Sequence, residues 1–376
     1  MLALLLLSCG RPSTSVAPEA PPQPFSEPVP YSGDADDVGR FLAGLAGSAG
    51  SAFSELEKLE AWKLHQSEIE RAWKKVEAES LPGMRKFQKE ELSGTPLDKS
   101  LVFYPFSGPD ALMLIVFFPH NRTYFMVGLE PAGTLPTLKQ IARKDLPQYL
   151  ESIRETVSSE FRRSFFITRE MDRQFRGQVT DGLLSPILLL LARSNHTVLG
   201  FRYVRLDQEG HIIQRAADYH APGRIGNKGV EIDFRANADQ SVHKLFYFSV
   251  NLSNERLEEN PQFLKFLSSL KGMTTFFKAT SYMTHQQPFT TIREQVLANS
   301  QAILQDDSGI PYRLFDAAEW QVQLYGDYER PYGSFSWLEQ PDLKKAYDTL
   351  NPKPLGFRIG YGFSQVPSNL LLARRK

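Results

Sequence analysis

Two short segments place carboxylates on rigid turns. Asp110 ends the segment 104–110 (YPFSGPD), which follows an apolar run, and Asp306 and Asp307 begin the turn within 305–312 (QDDSGIPY). Strand ends with Gly and Pro turns commonly display binding or acid–base groups. The alternative is turn chemistry, in which Asp and Ser bond nearby amides while Gly and Pro set the backbone. Asp110, Asp306 and Asp307 are therefore candidate catalytic or ligand-binding residues, and both interpretations stay open.

A histidine-containing segment provides a fourth candidate. Asp218 and His220 are two residues apart, which in a strand places both side chains on one face. With His211 or His243 on a neighbouring strand they would form an acid–base or metal-binding cluster. The alternative is a set of solvated or singly hydrogen-bonded histidines. His220 is thus a candidate on condition that the fold gathers these side chains.

Several functional classes are disfavoured by motif and composition. The sequence has no GxSxG nucleophile turn, HExxH helix, Walker loop or EF-hand loop. Lys plus Arg and Asp plus Glu both number 43, and this balance argues against general nucleic-acid binding. The one cysteine excludes an internal disulfide, a cysteine-based zinc cluster and a CxxC pair. We therefore expect no cofactor, no metal and no nucleic-acid partner.

The candidate residues must be positioned by a mixture of helices and strands. Aromatic residues make up 12% of the chain, with 26 Phe, which favours a substantial sheet. Apolar spacing predicts helices over 34–80 (as a hairpin), 146–165, 182–194, 263–270 and 289–299. Strands are predicted over 100–106, 123–129, 198–207, 211–216, 230–235, 244–251, 274–282, 302–305, 312–315 and 320–325. Residues 111–118 form a continuous apolar run.

These elements predict an α+β fold, with irregular α/β as the alternative. The N-terminal helical hairpin is expected to pack on a strand-rich body. We predict a first half over 34–185 and a strand-rich second half over 186–376, and the two halves can also form one continuous domain.

The N-terminus has the pattern of an export signal. Residues 1–7 (MLALLLL) are too short an apolar run to cross a bilayer as a helix, and they match the core of a signal peptide. We predict a short signal peptide over 1–8. No Lys or Arg precedes the apolar run, and a start codon further upstream would supply one.

Leu6-Leu7-Ser8-Cys9 resembles the lipobox of bacterial lipoproteins, although Leu7 stands where a smaller residue is commoner. The resemblance implies cleavage before Cys9, acylation of Cys9 and a domain outside the cytoplasm. Gly10 after the cysteine implies the outer membrane rather than the inner one. The alternative is a cytosolic protein with a leucine-rich start.

A proline-rich tether follows over 9–33. Its seven prolines are Pro12, Pro18, Pro21, Pro22, Pro24, Pro28 and Pro30. Proline lacks an amide donor and fixes φ, so the segment stays extended. Polyproline geometry would give it a reach of about 70 Å.

A wider resemblance rests on five segments. Residues 41–45, 104–110, 118–119, 128–131 (GLEP) and 305–312 together resemble a family of bacterial envelope lipoproteins without a known activity. The resemblance implies an envelope location and carries over no activity, cofactor or site. We expect a lipid-anchored envelope protein that is a non-catalytic binding or structural module, with an unidentified protein or small molecule as its partner. The alternative is a periplasmic or cell-surface hydrolase that uses the turn-mounted carboxylates.

Overall fold

A computed structural model describes residues 33–93, 97, 101–135, 146–163, 182–214, 228–363 and 368–376. Cys9, the tether and His220 with Asp218 lie outside these ranges. The predictions made for them therefore remain predictions.

Ten strands form one mixed sheet. They are β1 (Val102–Pro105), β2 (Thr123–Gly128), β3 (His196–Leu206), β4 (Ile212–Gln214), β5 (Lys228–Ala236), β6 (Val242–Ser249), β7 (Met273–Phe277), β8 (Ser300–Gln305), β9 (Trp320–Gly326) and β10 (Asn369–Arg375). Their order in the sheet is β4-β3-β5-β6-β2-β1-β7-β8-β10-β9. The central strands β6, β2, β1, β7 and β8 are parallel, and antiparallel strands extend the sheet on both sides.

Helices cover both faces of this sheet. They are α1 (Gly33–Leu42), α2 (Glu60–Glu79), α3 (Leu81–Phe87), α4 (Ala111–Phe117), α5 (Leu146–Arg163), α6 (Leu184–Arg193), α7 (Asn254–Glu258), α8 (Pro261–Ser269), α9 (Thr290–Asn299) and α10 (Pro341–Thr349). Helices α1 to α6 pack on one face in a core that includes Tyr104, Tyr124 and Phe276. Helices α7 to α10 pack on the other face, against Phe103, Phe125 and Phe277. A parallel sheet buried on both faces needs apolar residues at successive positions, as β1 has.

The predicted α+β class is confirmed, including the N-terminal helical region. Helices α1 and α2 contact each other, because the Trp62 indole donates to the Phe41 carbonyl at 3.0 Å and His65 Nε2 lies 2.7 Å from the Leu42 carbonyl. Strands β1 and β2 come from the first half of the chain but lie between β6 and β7 of the second half. Both halves thus contribute to one sheet.

Two local predictions need correction, and the structure also assigns the apolar run 111–118. The predicted strand 274–282 ends at Phe277, and the predicted strand 312–315 is a short 3₁₀ helix over Tyr312–Leu314. The apolar run 111–118 is mainly helix α4, which is buried all round, so its sequence lacks the polar face of a surface helix. Helix α10 and strand β10 were not predicted.

Among the described residues, no helix combines the length and the apolar composition needed to span a membrane.

Candidate functional site

The two predicted turns lie at the same edge of the sheet. They follow β1 and β8, and β7 lies between these two strands. All three strands are parallel, so the segments 104–110, 278–282 and 305–310 leave the sheet side by side. Strand β2 lies on one side of β1, and the chain returns to the other side with β7. Carboxyl ends of parallel strands at such a change of direction are where open sheets bind ligands.

Asp110 is fully engaged at this edge. Its Oδ2 accepts a hydrogen bond from the Tyr104 hydroxyl at 2.7 Å and forms an ion pair with Lys278 Nζ at 2.6 Å. Its Oδ1 accepts the Met113 amide at 3.2 Å, which caps the N-terminus of α4. The Asp110 and Lys278 side chains are each 2% exposed. Asp110 therefore ties β1, β7 and α4 together.

The segment after β7 has an unusual backbone. Ala279, Ser281 and Tyr282 have φ values of 50°, 55° and 53°, in the left-handed region that residues with a Cβ seldom adopt. Each such residue costs on the order of 1 kcal/mol or more and persists only where its surroundings hold it. A strand, as predicted for these residues, would have required negative φ throughout.

Asp306, Asp307 and Ser308 hold this strained segment. The Ala279 amide donates to Asp306 Oδ2 at 2.8 Å, and the Thr280 amide donates to Ser308 Oγ at 2.9 Å. The Tyr282 hydroxyl donates to Asp307 Oδ2 at 2.6 Å. The predicted 305–312 turn thus acts through the segment 279–282, which it fixes in a strained conformation.

Tyr361 also holds the segment 279–282 in place, through its hydroxyl group. Its hydroxyl accepts the Ser281 amide at 2.8 Å and donates to the Ala279 carbonyl at 3.1 Å. Burial raises the pKa of Tyr361 to about 12, so the hydroxyl keeps its proton for this contact. Its neighbour Gly360 has a φ of +59°, and a Cβ there would overlap Asp306 Oδ2.

The remaining oxygens of Asp306 and Asp307 are also engaged. Asp306 Oδ1 accepts from the Ser308 amide and hydroxyl at 3.0 and 2.5 Å, and Asp307 Oδ1 accepts from Asn369 Nδ2 at 3.2 Å. Burial raises the pKa of both carboxyls. For Asp307 the nearby charge of Asp306 adds to burial and brings the pKa to about 7. We call Tyr104, Asp110, Lys278, Asp306, Asp307 and Ser308 the strand-end network.

A cavity of about 750 Å³ opens in front of this network. We call it the strand-end cavity. Its lining is Phe106, Gly108, Val127, Gly128, Leu129, Glu130, Val250, Asn251, Leu252, Ala279, Thr280, Ser281, Tyr282, Met283, Phe289, Pro331, Tyr332, Gly333, Ser334, Phe335 and Tyr361. These residues lie at the end of β2, follow β1, β2, β6 or β7, or belong to the C-terminal part of the chain. The volume is within the usual range of small-molecule sites.

The strained backbone lies in the wall of this cavity. Phe106, on the 104–110 turn, has a φ of 60° and lines the cavity, as do Ala279, Ser281 and Tyr282. Asp110, Asp306 and Asp307 are not among the lining residues. The three carboxylates that the sequence indicated therefore lie at the same edge of the sheet, but they do not line the cavity themselves. Asp306 and Asp307 contact residues of its wall.

Glu130 is the carboxylate that does line the cavity. It is 7% exposed, and its Oε1 is buried without a hydrogen-bond partner among the described residues. The Tyr247 hydroxyl donates to the Glu130 carbonyl at 2.7 Å. A Cβ on Gly128 would lie 2.7 Å from that hydroxyl and 3.0 Å from Glu130 Oε2, so glycine lets both groups pack against β2.

Aromatic rings form much of the remaining wall. Tyr282 stacks on Tyr361 with ring centroids 5.9 Å apart, and Phe335 lies 5.2 Å from Tyr282. Phe106 meets Phe289 edge to face at 5.8 Å. Among the described residues, the lining contains no Lys, Arg or His. The cavity therefore combines apolar and aromatic walls with one carboxylate.

The histidine cluster is not formed by the described residues. His211 is exposed and lies 3.3 Å from Asp207, whereas His243 is buried and its Nδ1 lies 2.7 Å from the Asn121 carbonyl. No group of three or more His, Cys, Asp or Glu side chains in the described part of the chain could hold a metal ion.

Sequence reasoning missed Glu130 and Lys278 as functional residues. Glu130 carried a usable signal, since 128–131 (GLEP) also places a carboxylate and a proline after a strand. Lys278 carried no such signal, because it lies within residues 274–282, which were predicted to form one strand. No protein-family model, no curated protein and no solved structure matches this chain, so its function is inferred from the geometry of this site.

Proposed function

We propose that the chain binds a small molecule in the strand-end cavity and is carried on the bacterial cell envelope by a lipid anchor at Cys9. The observation that carries the binding role is the cavity itself, whose wall contains a buried carboxylate oxygen without a partner among the described residues. A mostly apolar cavity with a few convergent polar groups is typical of a ligand site.

Binding is favoured over hydrolysis by the contacts of the other carboxylates. A general acid or base must reach the proton that it transfers, within hydrogen-bond distance or through one water. Asp110, Asp306 and Asp307 lie outside the lining, and each has both oxygens engaged. Their contacts support a positioning role in which they stabilise the wall.

The envelope location is supported by the sequence. Leu6-Leu7-Ser8-Cys9 resembles a lipobox, and the proline-rich segment up to residue 33 would hold a folded domain clear of a membrane surface. Several acyl chains, each CH₂ contributing about 0.8 kcal/mol on burial, would make the attachment stable. Gly10 favours the outer membrane under this proposal.

Binding can be tested with N-phenylnaphthylamine, a neutral probe that fluoresces in apolar sites. We expect the purified chain to bind the probe with one-to-one stoichiometry. Ser334→Trp, which adds a bulky ring to an exposed residue of the cavity lining, should weaken this binding. Ser336→Trp is the matched control, because Ser336 is exposed on the same 3₁₀ helix and does not line the cavity. Equal binding by both variants, or none by the wild type, would contradict the proposal.

The anchor is tested separately in cells. Wild-type chain should incorporate labelled palmitate and sediment with membranes, whereas Cys9→Ala should do neither. Identical membrane partitioning of the two would show that Cys9 is not the anchor.

A further inference from the structure

The burial of Glu130 in the cavity lining constrains what the ligand can be. A buried polar atom without a hydrogen-bond partner costs free energy, more so when it is charged. Glu130 Oε1 is such an atom, and Glu130 is a lining residue of the strand-end cavity. A ligand that donates a hydrogen bond to this oxygen would remove that cost.

We infer that the ligand is an organic cation, a protonated amine attached to an apolar or aromatic body. This inference rests on the proposed binding function and specifies the chemistry of the same cavity. The ammonium group would donate to the Glu130 carboxylate and supply the opposite charge. Its apolar body would pack between the aromatic walls.

The charge of the lining supports a cation. Glu130 is the one Asp or Glu among the lining residues, and no Lys, Arg or His lies there in the described part of the chain. A ligand carboxylate or phosphate would meet Glu130 without a compensating cation, which disfavours anions. A protonated amine forms a charge-assisted hydrogen bond with a carboxylate, about twice as strong as a neutral one.

The aromatic residues add a second attraction for the same group. Six rings line the cavity: Phe106, Tyr282, Phe289, Tyr332, Phe335 and Tyr361. The faces of such rings attract cations within about 6 Å, most strongly where water is excluded. The same rings favour the apolar body of the ligand by burial.

Three probes of one shape separate charge from apolar contact. They are phenylbutylamine, phenylbutanol and phenylbutyrate, which carry at neutral pH a cation, a neutral hydroxyl and an anion on the same chain. Titration calorimetry on the wild type should show the amine binding about tenfold or more tighter than the alcohol. The carboxylate should bind more weakly than the alcohol.

Glu130→Gln should abolish the preference for the amine while leaving the affinity of the alcohol within about threefold. Glu339→Gln is the control, because Glu339 is exposed and does not line the cavity, and it should keep the preference. Equal binding of the three probes by the wild type would overturn the cation inference and leave the binding function standing. If the wild type binds none of the three probes, both the cation inference and the binding function are contradicted. The comparison of the three probes on the wild type tests the inference even if Glu130→Gln fails to fold.

Discussion

The strand-end network and Glu130 lie at the same edge of the sheet, yet their hydrogen bonding differs. Asp110, Asp306 and Asp307 each use both carboxylate oxygens within the protein. Glu130 lines the cavity, and its Oε1 is buried without a hydrogen-bond partner among the described residues. Carboxylates with complete partners fix the backbone, whereas one with a missing partner is available to a ligand. The hydrogen-bond partners of a buried carboxylate therefore indicate its role better than its degree of burial does.

The largest expected effect is on the buried ion pair. Lys278→Met would leave the Asp110 carboxylate buried without its cation, and the free energy of unfolding should fall by about 3–5 kcal/mol. Urea unfolding followed by circular dichroism measures this change. Lys344→Met is the control, since Lys344 and Asp348 form an exposed pair with side chains 56% and 64% accessible. A pair of that kind contributes at most about 1 kcal/mol. Equal losses of unfolding free energy for the two variants would show that the Lys278–Asp110 ion pair contributes no more to stability than an exposed pair.

A smaller loss is expected at Gly360. Gly360→Ala places a Cβ on Asp306 Oδ2 at a positive φ, and it should destabilise the fold by about 1–3 kcal/mol. Gly356→Ala should change stability by less than about 0.5 kcal/mol, because no atom lies within 4 Å of the added Cβ and its φ is not positive. Thermal unfolding of both variants measures the difference. A neutral Gly360→Ala would show that Asp306 does not require the glycine.

The network should also make stability depend on pH. Burial and the charge of Asp306 raise the pKa of Asp307 from 3.8 to about 7, so the folded state binds more protons than the unfolded state between these values. This contribution to stability is present below about pH 4 and is lost as pH rises toward 7. The slope for one proton is at most about 1.4 kcal/mol per pH unit.

Asp307→Asn isolates this contribution from opposing groups. Burial lowers the pKa of His65, His196 and His285 to about 4, and these histidines make stability rise with pH over part of the same range. The difference in unfolding free energy, wild type minus Asp307→Asn, should therefore fall from pH 4 to pH 7. A constant difference would mean that Asp307 does not titrate in this window.

The smallest expected effect on stability is at Glu130. Glu130→Gln replaces a carboxyl group whose Oε1 has no described hydrogen-bond partner, so the free energy of unfolding should change by less than about 1 kcal/mol. The same denaturant titration as for Lys278→Met measures it. A loss as large as that of Lys278→Met would place Glu130 among the structural carboxylates.

The sequence predicted the fold class and much of the site's framework. Apolar periodicity identified most of the strands, and the turn chemistry of 104–110 and 305–312 indicated where carboxylates leave the sheet. The roles of those carboxylates did not follow, because turn chemistry and ligand binding use the same residue types. In this fold Asp110 caps a helix and pairs with Lys278, a partner 168 positions away along the chain.

The wall of the cavity was the least predictable part. Ala279, Ser281 and Tyr282 adopt positive φ without glycine, and residues 274–282 (TTFFKATSY) contain no Gly or Pro that would mark the end of the strand. Their conformation is imposed by Asp306, Asp307, Ser308 and Tyr361, which is a tertiary effect. The sequence did not indicate Glu130 for a related reason. This residue stands out because its Oε1 has no described hydrogen-bond partner, which is a property of the fold and not of a residue pattern.

The most direct measurement of the central claim is a crystal structure of the chain with phenylbutylamine bound. We expect the ammonium nitrogen at about 2.7–2.9 Å from a carboxylate oxygen of Glu130, with the phenyl ring among the aromatic residues of the strand-end cavity. An amine bound elsewhere, or a basic side chain of the protein already in contact with Glu130 Oε1, would contradict it.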